Sequence, residues 1–188
     1  MSFFRLARIA VLVVLGASAL AAAQAGGQQP PMPKPGPEHE VLKMDVGTWD
    51  ATVEIMAEPG KPPMKSKGVE VNTLGCSGLC LITDFKGDMM GSPFHGHGVT
   101  TWDAGKKAYT GSWIDSMSAG LNLGESTYDK AAKKWTGTME GPDMTGKMMK
   151  MRSVVEMRDA STRVFTLYGT GPDGKEAESM RITYKRRK

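Results

Sequence analysis

The sequence predicts an all-β fold, an antiparallel up-and-down β-barrel of about ten strands that follows a short N-terminal helix. Three observations predict it: the period of the apolar residues, the spacing of the turns and a hairpin segment that occurs twice. Apolar and polar residues alternate in short runs from residue 49 onward, which is the two-residue period of half-buried strands. Turn residues separate the runs at intervals of about 8–12 residues, and sequential hairpins favour a closed barrel because closure leaves no unpaired edge.

The alternation of the first strand is the clearest, since polar residues separate Trp49, Ala51 and Val53. A helix of one or two turns is expected over 38–44, and Gly47 ends it. In the second strand the alternating residues are Val69, Val71 and Thr73. The other elements follow in this order: turn 59–63, break 75–80, strand 81–85, loop 86–93, strand 94–102, the repeated hairpins, turn 143–146, strand 149–157, turn 159–161, strand 164–169, turn 171–174 and strand 180–184.

The repeated segment gives the strongest hairpin signal. Residues 101–113 (TWDAGKKAYTGSW) return as residues 127–139 (TYDKAAKKWTGTM), and each copy places a polar turn opened by Asp between two aromatic residues. An Asp at the start of a turn can accept hydrogen bonds from backbone amides further along. Two such hairpins in tandem predict a four-strand antiparallel meander, whereas two copies are too few to stack as a solenoid.

The first 25 residues have the pattern of a secretory signal peptide. Two arginines precede an apolar run over 9–20, and small residues follow as far as Ala25. Cleavage is expected after Ala23 or Ala25. The apolar run is shorter than the roughly 20 residues that a membrane-spanning helix needs, so no integral membrane segment is expected after cleavage. We therefore predict that the mature protein is exported to the periplasm or the extracellular space.

The rest of the chain divides into a leader and one domain. Residues 26–37 are rich in proline and glycine and predict a flexible leader. Residues 38–188 are enough for a single domain with one core. The net charge of the whole chain is +4, and no basic patch is interleaved with aromatic residues, so no nucleic-acid partner is expected.

Two sets of residues resemble known proteins. His39, Leu42 and the Gly47-Thr48-Trp49 segment are similar to the short helix and Gly-x-Trp opening of lipocalin-like barrels. A larger set resembles the DUF1579 family, a group of mostly bacterial domains of unknown function, and comprises residues 94–98, 102–103, 109, 113–116 and 182–186. This resemblance covers the chain from about residue 37 onward. It implies a lipocalin-like β-barrel and implies no activity, cofactor or catalytic residue.

Cys76 and Cys80 are the two cysteines of the chain, and they stand where the DUF1579 family usually has two glycines. An oxidising compartment favours a disulfide between them. A disulfide needs Cα atoms within about 7 Å, whereas four residues of extended strand span about 13 Å. The bridge therefore requires a tight turn at Ser77 and Gly78. A redox-active or copper-binding pair and two free thiols remain the alternatives.

A periplasmic protein that binds Cu(I) or responds to redox state is an alternative function. His95 and His97 lie two positions apart on one strand face, and thiolate and thioether ligands from Cys76, Cys80 and the 14 methionines that remain after cleavage would select Cu(I). Methionine is also a flexible core residue, and several methionines lie at alternating strand positions. The glycines that flank His97 favour a different role, close packing of a bulky neighbour against the strand.

Ligand binding inside the barrel is the main functional prediction. A pocket lined by aromatic residues and methionine with a few polar groups is typical of small-molecule sites. The predicted ligand-binding residues are Trp49, Tyr109, Trp113, Asp115, Trp135, Met149 and Met151, with Tyr184 as a further aromatic residue. Asp115 shares a strand face with Trp113 and is either an inward anchor or solvated, and the sequence leaves both open. Glu125 is expected to face solvent.

The sequence contains no recognisable catalytic motif. Nucleophile elbows, phosphate-binding glycine loops and paired zinc-binding histidines are missing from it. We predict an exported barrel that binds a small, largely apolar ligand without catalysis and without a cofactor. The alternatives are the Cu(I) or redox protein, a structural or protein-interaction module with a filled barrel, and a hydrolase or isomerase with an inward pair of histidine and carboxylate.

Overall fold

In the part of the chain that the structure describes, ten antiparallel strands close into a single barrel. The computed structural model describes residues 32–57, 60–171 and 173–188. Each strand pairs with its sequence neighbours and the first strand pairs with the last, so the predicted up-and-down barrel is confirmed. The signal peptide predicted for 1–25 and half of the leader predicted for 26–37 lie outside the described residues.

The elements follow the predicted order. A short helix, α1, precedes a 3₁₀ turn over Lys43–Asp45, and a second 3₁₀ turn over Cys76–Gly78 separates the second strand from the third. The bounds are α1 Pro37–Leu42, β1 Gly47–Ile55, β2 Met64–Gly75, β3 Cys80–Met89, β4 Ser92–Asp103, β5 Ala108–Asp115, β6 Asn122–Asp129, β7 Lys134–Pro142, β8 Met148–Asp159, β9 Thr162–Thr170 and β10 Glu176–Arg186.

The helix covers one end of the barrel, and α1 together with Lys43–Asp45 is called the cap below. The Tyr109 hydroxyl donates a hydrogen bond to the main-chain carbonyl of Glu38 in the cap, at 2.8 Å. Leu42, only 1% exposed, packs in a cluster with Leu81 and Trp135 of the barrel. The opposite end, where loops join β5 to β6 and β7 to β8, is called the mouth.

The repeated segment forms the two predicted hairpins, β4–β5 and β6–β7. The Asp103 carboxylate accepts hydrogen bonds from the amides of Gly105 and Lys106, at 2.9 and 3.0 Å. In the second copy, the Asp129 carboxylate accepts one from the amide of Ala132, at 2.9 Å. Each Asp therefore satisfies turn amides that the strand ladder leaves free.

The prediction of a loop over residues 86–93 is wrong. β3 continues to Met89 and β4 begins at Ser92, so a two-residue turn of Met90 and Gly91 joins them. Both turn residues have positive φ, 55° and 82°, as the tight hairpin turns that match the twist of the strands require. The sequence does not reveal this turn because methionine rarely adopts a positive φ.

The alternation of Val69 and Val71 suggests that the valines of β2 face the interior of the barrel, but the opposite face of the strand does so. Val71 lies on the outside of the barrel and is 39% exposed, whereas Glu70 and Asn72 are buried. The register pairs Glu70 with Trp49 on one side and with Phe85 on the other, and both of these face inward. β2 therefore places polar side chains inside the barrel.

Two glycines of β4 make room for a tryptophan of β5. A Cβ on Gly96 would lie 2.1 Å from Cζ2 of Trp113, and a Cβ on Gly98 would lie 3.0 Å from Cε3 of the same ring. The indole therefore packs directly on the bare backbone of the neighbouring strand. This confirms that the glycines flanking His97 allow close packing of a bulky neighbour.

Gly96→Ala is expected to lower the free energy of unfolding by about 1–3 kcal/mol, because added atoms in a packed interior force neighbouring groups to shift. Gly124→Ala is the matched control, since a Cβ there would lie 3.6 Å from its nearest neighbour, the carbonyl oxygen of Thr138. Urea denaturation of the two variants measures the difference. Equal stability of Gly96→Ala and the parent would contradict the tight contact with Trp113.

Candidate functional site

The barrel encloses a cavity of about 600 Å³. This volume is within the range of about 300–1,000 Å³ that small-molecule sites occupy. Most of its lining is apolar, and its large apolar side chains include Phe85, Phe94, Trp113, Trp135, Met139, Met151, Phe165, Leu167, Met180 and Ile182. The cavity extends from the cap to the mouth, since Leu42 of the cap and Met144 of the β7–β8 loop both line it.

Glycines leave this space open on one wall of the barrel. Gly98, Gly111 and Gly124 lie at inward positions of β4, β5 and β6 and line the cavity. Gly111 and Gly124 are directly paired across β5 and β6, so bare backbone faces the cavity at that point. The wall formed by these three residues is called the glycine wall below.

Asp115 lies at the mouth, on the inner side of the barrel. Its carboxylate accepts hydrogen bonds from Nε1 of Trp113 at 2.8 Å, from the amide of Met117 at 2.8 Å, and from both the amide and the hydroxyl of Ser118 at 2.7 and 2.8 Å. The sequence left open whether the Asp115 carboxylate points inward or into solvent, and in the structure it points inward. The carboxylate holds the β5–β6 loop in place, and it orients the indole that lines the cavity.

A buried ion cluster forms the floor of the cavity near the cap. Arg163 of β9 donates through Nη1 to Oδ1 of Asp45 at 2.5 Å and through Nη2 to Oε1 of Glu70. All three residues line the cavity and are buried. Asn72 supports the cluster, since its Nδ2 donates to Glu70 Oε1 at 2.7 Å and to the carbonyl of Asp45 at 3.1 Å. Asp45, Glu70 and Arg163 are called the floor cluster below.

Aromatic rings and a second arginine surround the floor cluster. The guanidinium carbon of Arg163 lies 4.6 Å from the ring centre of Trp49 and 4.4 Å from that of Tyr184. Arg186 also contacts Trp49, at 4.0 Å, and its Nη atoms donate to the carbonyls of Met44 and Val46 at the end of the cap. Cations on aromatic faces are attracted by the ring quadrupole, most strongly where water is excluded.

Burial and neighbouring charges shift the pKa values of the ionisable groups in and around the floor cluster. Burial raises the pKa of Asp45 and the negative charge of Glu70 adds to that shift, although Arg163 opposes it. Burial alone lowers the pKa of Arg163, but the two carboxylates outweigh burial and raise it, so the guanidinium stays charged. Burial also raises the pKa of Tyr184 well above its ordinary value and that of Tyr109 to about 12, so both phenols stay protonated.

A chain of aromatic rings lies between the cap and the cavity. Tyr109 contacts Trp102 on one side, with ring centres 4.9 Å apart, and Trp135 on the other, at 4.6 Å. Trp135 also contacts Tyr128, at 4.9 Å. Among the described residues no acceptor lies within hydrogen-bond reach of the Trp135 indole Nε1–H, and the same holds for Nε of Arg163.

Most of the predicted ligand-binding residues lie on the cavity. Tyr109, Trp113, Asp115, Trp135 and Met151 line it, as does Tyr184. Trp49 does not, because it is fully buried between the floor cluster and Arg186, and Met149 is not part of the lining either. The ligand-binding role of these residues stays a prediction. Sequence reasoning missed the floor cluster, and the only local signal was a charged residue between two valines in β2.

Cys76 and Cys80 form a disulfide, with Cα atoms 5.5 Å apart. The tight turn that such a bridge requires is present, since Cys76, Ser77 and Gly78 all have positive φ, at 52°, 55° and 89°. The turn lies beside the cap, where a Cβ on Gly78 would come within 3.1 Å of the Pro35 ring.

The proposed metal ligands are not brought together. His95 and His97 are on the outer face of β4, where Nδ1 of His97 lies 2.8 Å from Oδ1 of Asp84, and both histidines are exposed. The cysteines, bonded to each other, lie at the cap end of the barrel. Within residues 32–57, 60–171 and 173–188, no group of three or more His, Cys, Asp or Glu side chains is arranged to hold a metal ion.

Comparison with known proteins identifies a family and a fold. The sequence profile of a family described as "Protein of unknown function (DUF1579)" matches residues 34–186. The crystal structure of Rv2717c from M. tuberculosis superimposes with a TM-score of 0.60 at 10% identity, covering 82% of this chain and all of that one. The S-type phycobiliprotein lyase CPES from Guillardia theta gives 0.54 at 13% identity, with 80% and 93% covered.

These likenesses show the barrel fold alone, because both identities are low. No curated protein sequence matches the chain. Among the helices that the structure describes, none is long and apolar enough to cross a membrane.

The stability advantage of the parent over Asp45→Asn is expected to shrink as the pH rises from about 4, where the unfolded carboxyl titrates. The folded state holds the proton of Asp45 more tightly than the unfolded state does, so stability that is present below the unfolded pKa is lost as the pH rises through the raised one. Urea denaturation from pH 3 to pH 7 measures the slope.

Asp143→Asn is a control of opposite sign. Hydrogen bonds from Thr145 lower the pKa of the Asp143 carboxyl, so the parent's advantage over this variant grows as the pH rises. A pH profile of Asp45→Asn with the same slope as that of Asp143→Asn would show that Asp45 stays ionised in the folded state.

Proposed function

This chain belongs to the DUF1579 family, described only as proteins of unknown function, and we propose that it binds a small, largely apolar ligand inside its barrel without catalysing a reaction on it. The observation that carries this proposal is the cavity of about 600 Å³ with a mainly apolar lining. Burying apolar surface contributes about 25 cal/mol for each Å² removed from water, so the ligand that fits this space best is one with an apolar body.

The polar groups of the cavity support binding over catalysis, because the chain itself already uses them. Asp45 and Glu70 hold Arg163, and the carboxylate of Asp115 holds the mouth loop. The raised pKa of Tyr184 keeps its phenol protonated. A general base has to reach a substrate proton with a free acceptor, and these carboxylates are committed to structural partners.

The alternatives have less support. A filled barrel, expected of a purely structural module, does not agree with the open interior beside the glycine wall. The copper alternative loses its thiolate ligands in the oxidised protein, because Cys76 and Cys80 are joined in a disulfide. A hydrolase built on a histidine and a carboxylate has little support, since the histidine–carboxylate pair seen among the described residues, His97 with Asp84, lies on the outer surface.

We also propose that the protein is exported. The disulfide supports this, since such bonds form and persist in oxidising compartments and are rare in the cytosol. The signal-like N-terminal sequence gives the same prediction independently.

Filling the cavity is expected to block binding. Gly124→Leu adds a side chain that can extend only into the cavity, because Gly124 faces inward and its Cβ position has ordinary contacts. The affinity for an apolar fluorescent probe, N-phenyl-1-naphthylamine, should fall by about tenfold or more, which corresponds to about 1.4 kcal/mol of binding free energy. Probe fluorescence during titration measures it.

Thr127→Leu is the matched control, because it adds the same side chain to the exposed outer face of the same strand. Its probe affinity should equal that of the parent. If the two leucine variants bind the probe equally well, the probe does not occupy the barrel and the proposed site is wrong.

Export and oxidation are expected to show in one intact-mass measurement on protein from the envelope fraction of its own host. The mass should correspond to cleavage after Ala23 or Ala25, less two hydrogens for the disulfide. An uncleaved chain in the cytosolic fraction, with both thiols free to alkylation, would contradict export.

A further inference from the structure

Two lining residues of the cavity carry hydrogen-bond donors that have no acceptor among the described residues. They are the indole Nε1–H of Trp135 and the Nε–H of Arg163. Trp135 is 8% exposed and Arg163 is 6% exposed, so both donors are shielded from bulk water. A buried donor without an acceptor is costly, and an acceptor on a ligand in the cavity would satisfy it.

The acceptors of the floor offer no such opportunity to a ligand. Glu70 Oε1 receives Arg163 and Asn72, and Asp45 Oδ1 receives Arg163. No side-chain acceptor of the described cavity lining is both buried and without a donor. Asn72 Oδ1 is a buried acceptor without a donor among the described residues, but Asn72 does not line the cavity. Among the buried side-chain atoms of the described lining, those without a partner are therefore donors, and their complement on a ligand is an acceptor.

The charge of the floor cluster excludes an ionised acceptor. One guanidinium faces two carboxyl groups, so the cluster has a net charge of −1 with Asp45 ionised and of zero with Asp45 protonated. In neither state does the cluster itself provide the positive charge that a buried carboxylate needs. The nearby Arg186 already donates through both Nη atoms to the carbonyls of Met44 and Val46. An ammonium group would fare no better beside unmatched donors, because it can only donate hydrogen bonds.

Trp135 is better placed than Arg163 to donate a hydrogen bond to a ligand. The guanidinium of Arg163 lies against the rings of Trp49 and Tyr184, with both Nη atoms engaged. Trp135 is the second residue of β7, next to the cap, whereas Phe94 and Met144 line the cavity near the mouth. A ligand whose acceptor reaches Trp135 therefore has its apolar part towards the mouth.

We propose that the ligand is an apolar molecule with a neutral carbonyl-type oxygen at one end, such as a long-chain ketone or ester, and that this oxygen accepts a hydrogen bond from Nε1 of Trp135. The inference rests on the proposed function, since it takes the cavity as the binding site. It adds the chemical class of the ligand and the direction in which it lies.

The test compares ligands of equal length in the parent, in Trp135→Phe and in Trp102→Phe. Undecane, 2-undecanone and undecanoate each compete with N-phenyl-1-naphthylamine for the cavity. Trp135→Phe removes the N–H and keeps an aromatic ring. Trp102→Phe is the matched control, because Trp102 belongs to the same aromatic chain but does not line the cavity.

The quantity to compare is the affinity of one ligand between variants, since transfer from water differs between ligands. Trp135→Phe should weaken 2-undecanone by about three- to tenfold beyond its effect on undecane, because only the ketone loses a neutral hydrogen bond. Trp102→Phe should change neither. In infrared spectra of ¹³C-carbonyl 2-undecanone, the C=O band of the ketone bound to the parent should lie at lower frequency than that of the ketone in an alkane solvent. Trp135→Phe should abolish this difference.

The remaining outcomes separate this inference from the proposed function. If Trp135→Phe weakens ketone and alkane equally, or affects neither, or if undecanoate binds the parent more tightly than the ketone, the inference is overturned while the cavity remains a binding site. If none of the three ligands displaces the probe from the parent, the proposed function fails and this inference fails with it.

Discussion

The pairing of one buried positive charge organises this barrel. Arg163 reaches the interior, where an unpaired guanidinium would be very costly, and its two partners come from different parts of the chain: Asp45 from the cap and Glu70 from β2. Removing one partner of a buried ion pair typically costs about 3–5 kcal/mol. The cluster thus links the cap to the barrel, and its guanidinium also packs on Trp49 of β1 and Tyr184 of β10.

The two halves of the interior differ because of where the large side chains are. Near β1, β3 and β10 a dense cluster that includes Trp49, Val53, Phe85 and Ile182 fills the space. The glycine wall on the other side has no side chains to contribute, and Trp113 occupies only the part of it next to β4. The cavity is therefore a consequence of uneven packing within one closed sheet, with a charged floor and an apolar body.

Sequence reasoning succeeded where the signal is local. Strand alternation and turn residues predicted the closed barrel and the repeated hairpins. The disulfide, one of the alternatives for Cys76 and Cys80, is present together with the tight turn that it requires. It failed where distant partners decide. The valines of β2 indicated the wrong inner face, because Glu70 is drawn inward by Arg163, which is 93 residues away in sequence. For the same reason no local pattern could identify the floor cluster.

Closure of the sheet between β1 and β10 also determines when the domain can form. Trp49 is paired with Arg186, so the first strand finds one of its two neighbours only when the last residues of the chain are available. Such non-local pairing makes folding slow, and it cannot be completed before β10 has been synthesised. A nascent chain of this protein therefore keeps one edge of β1 unpaired until β10 has been made.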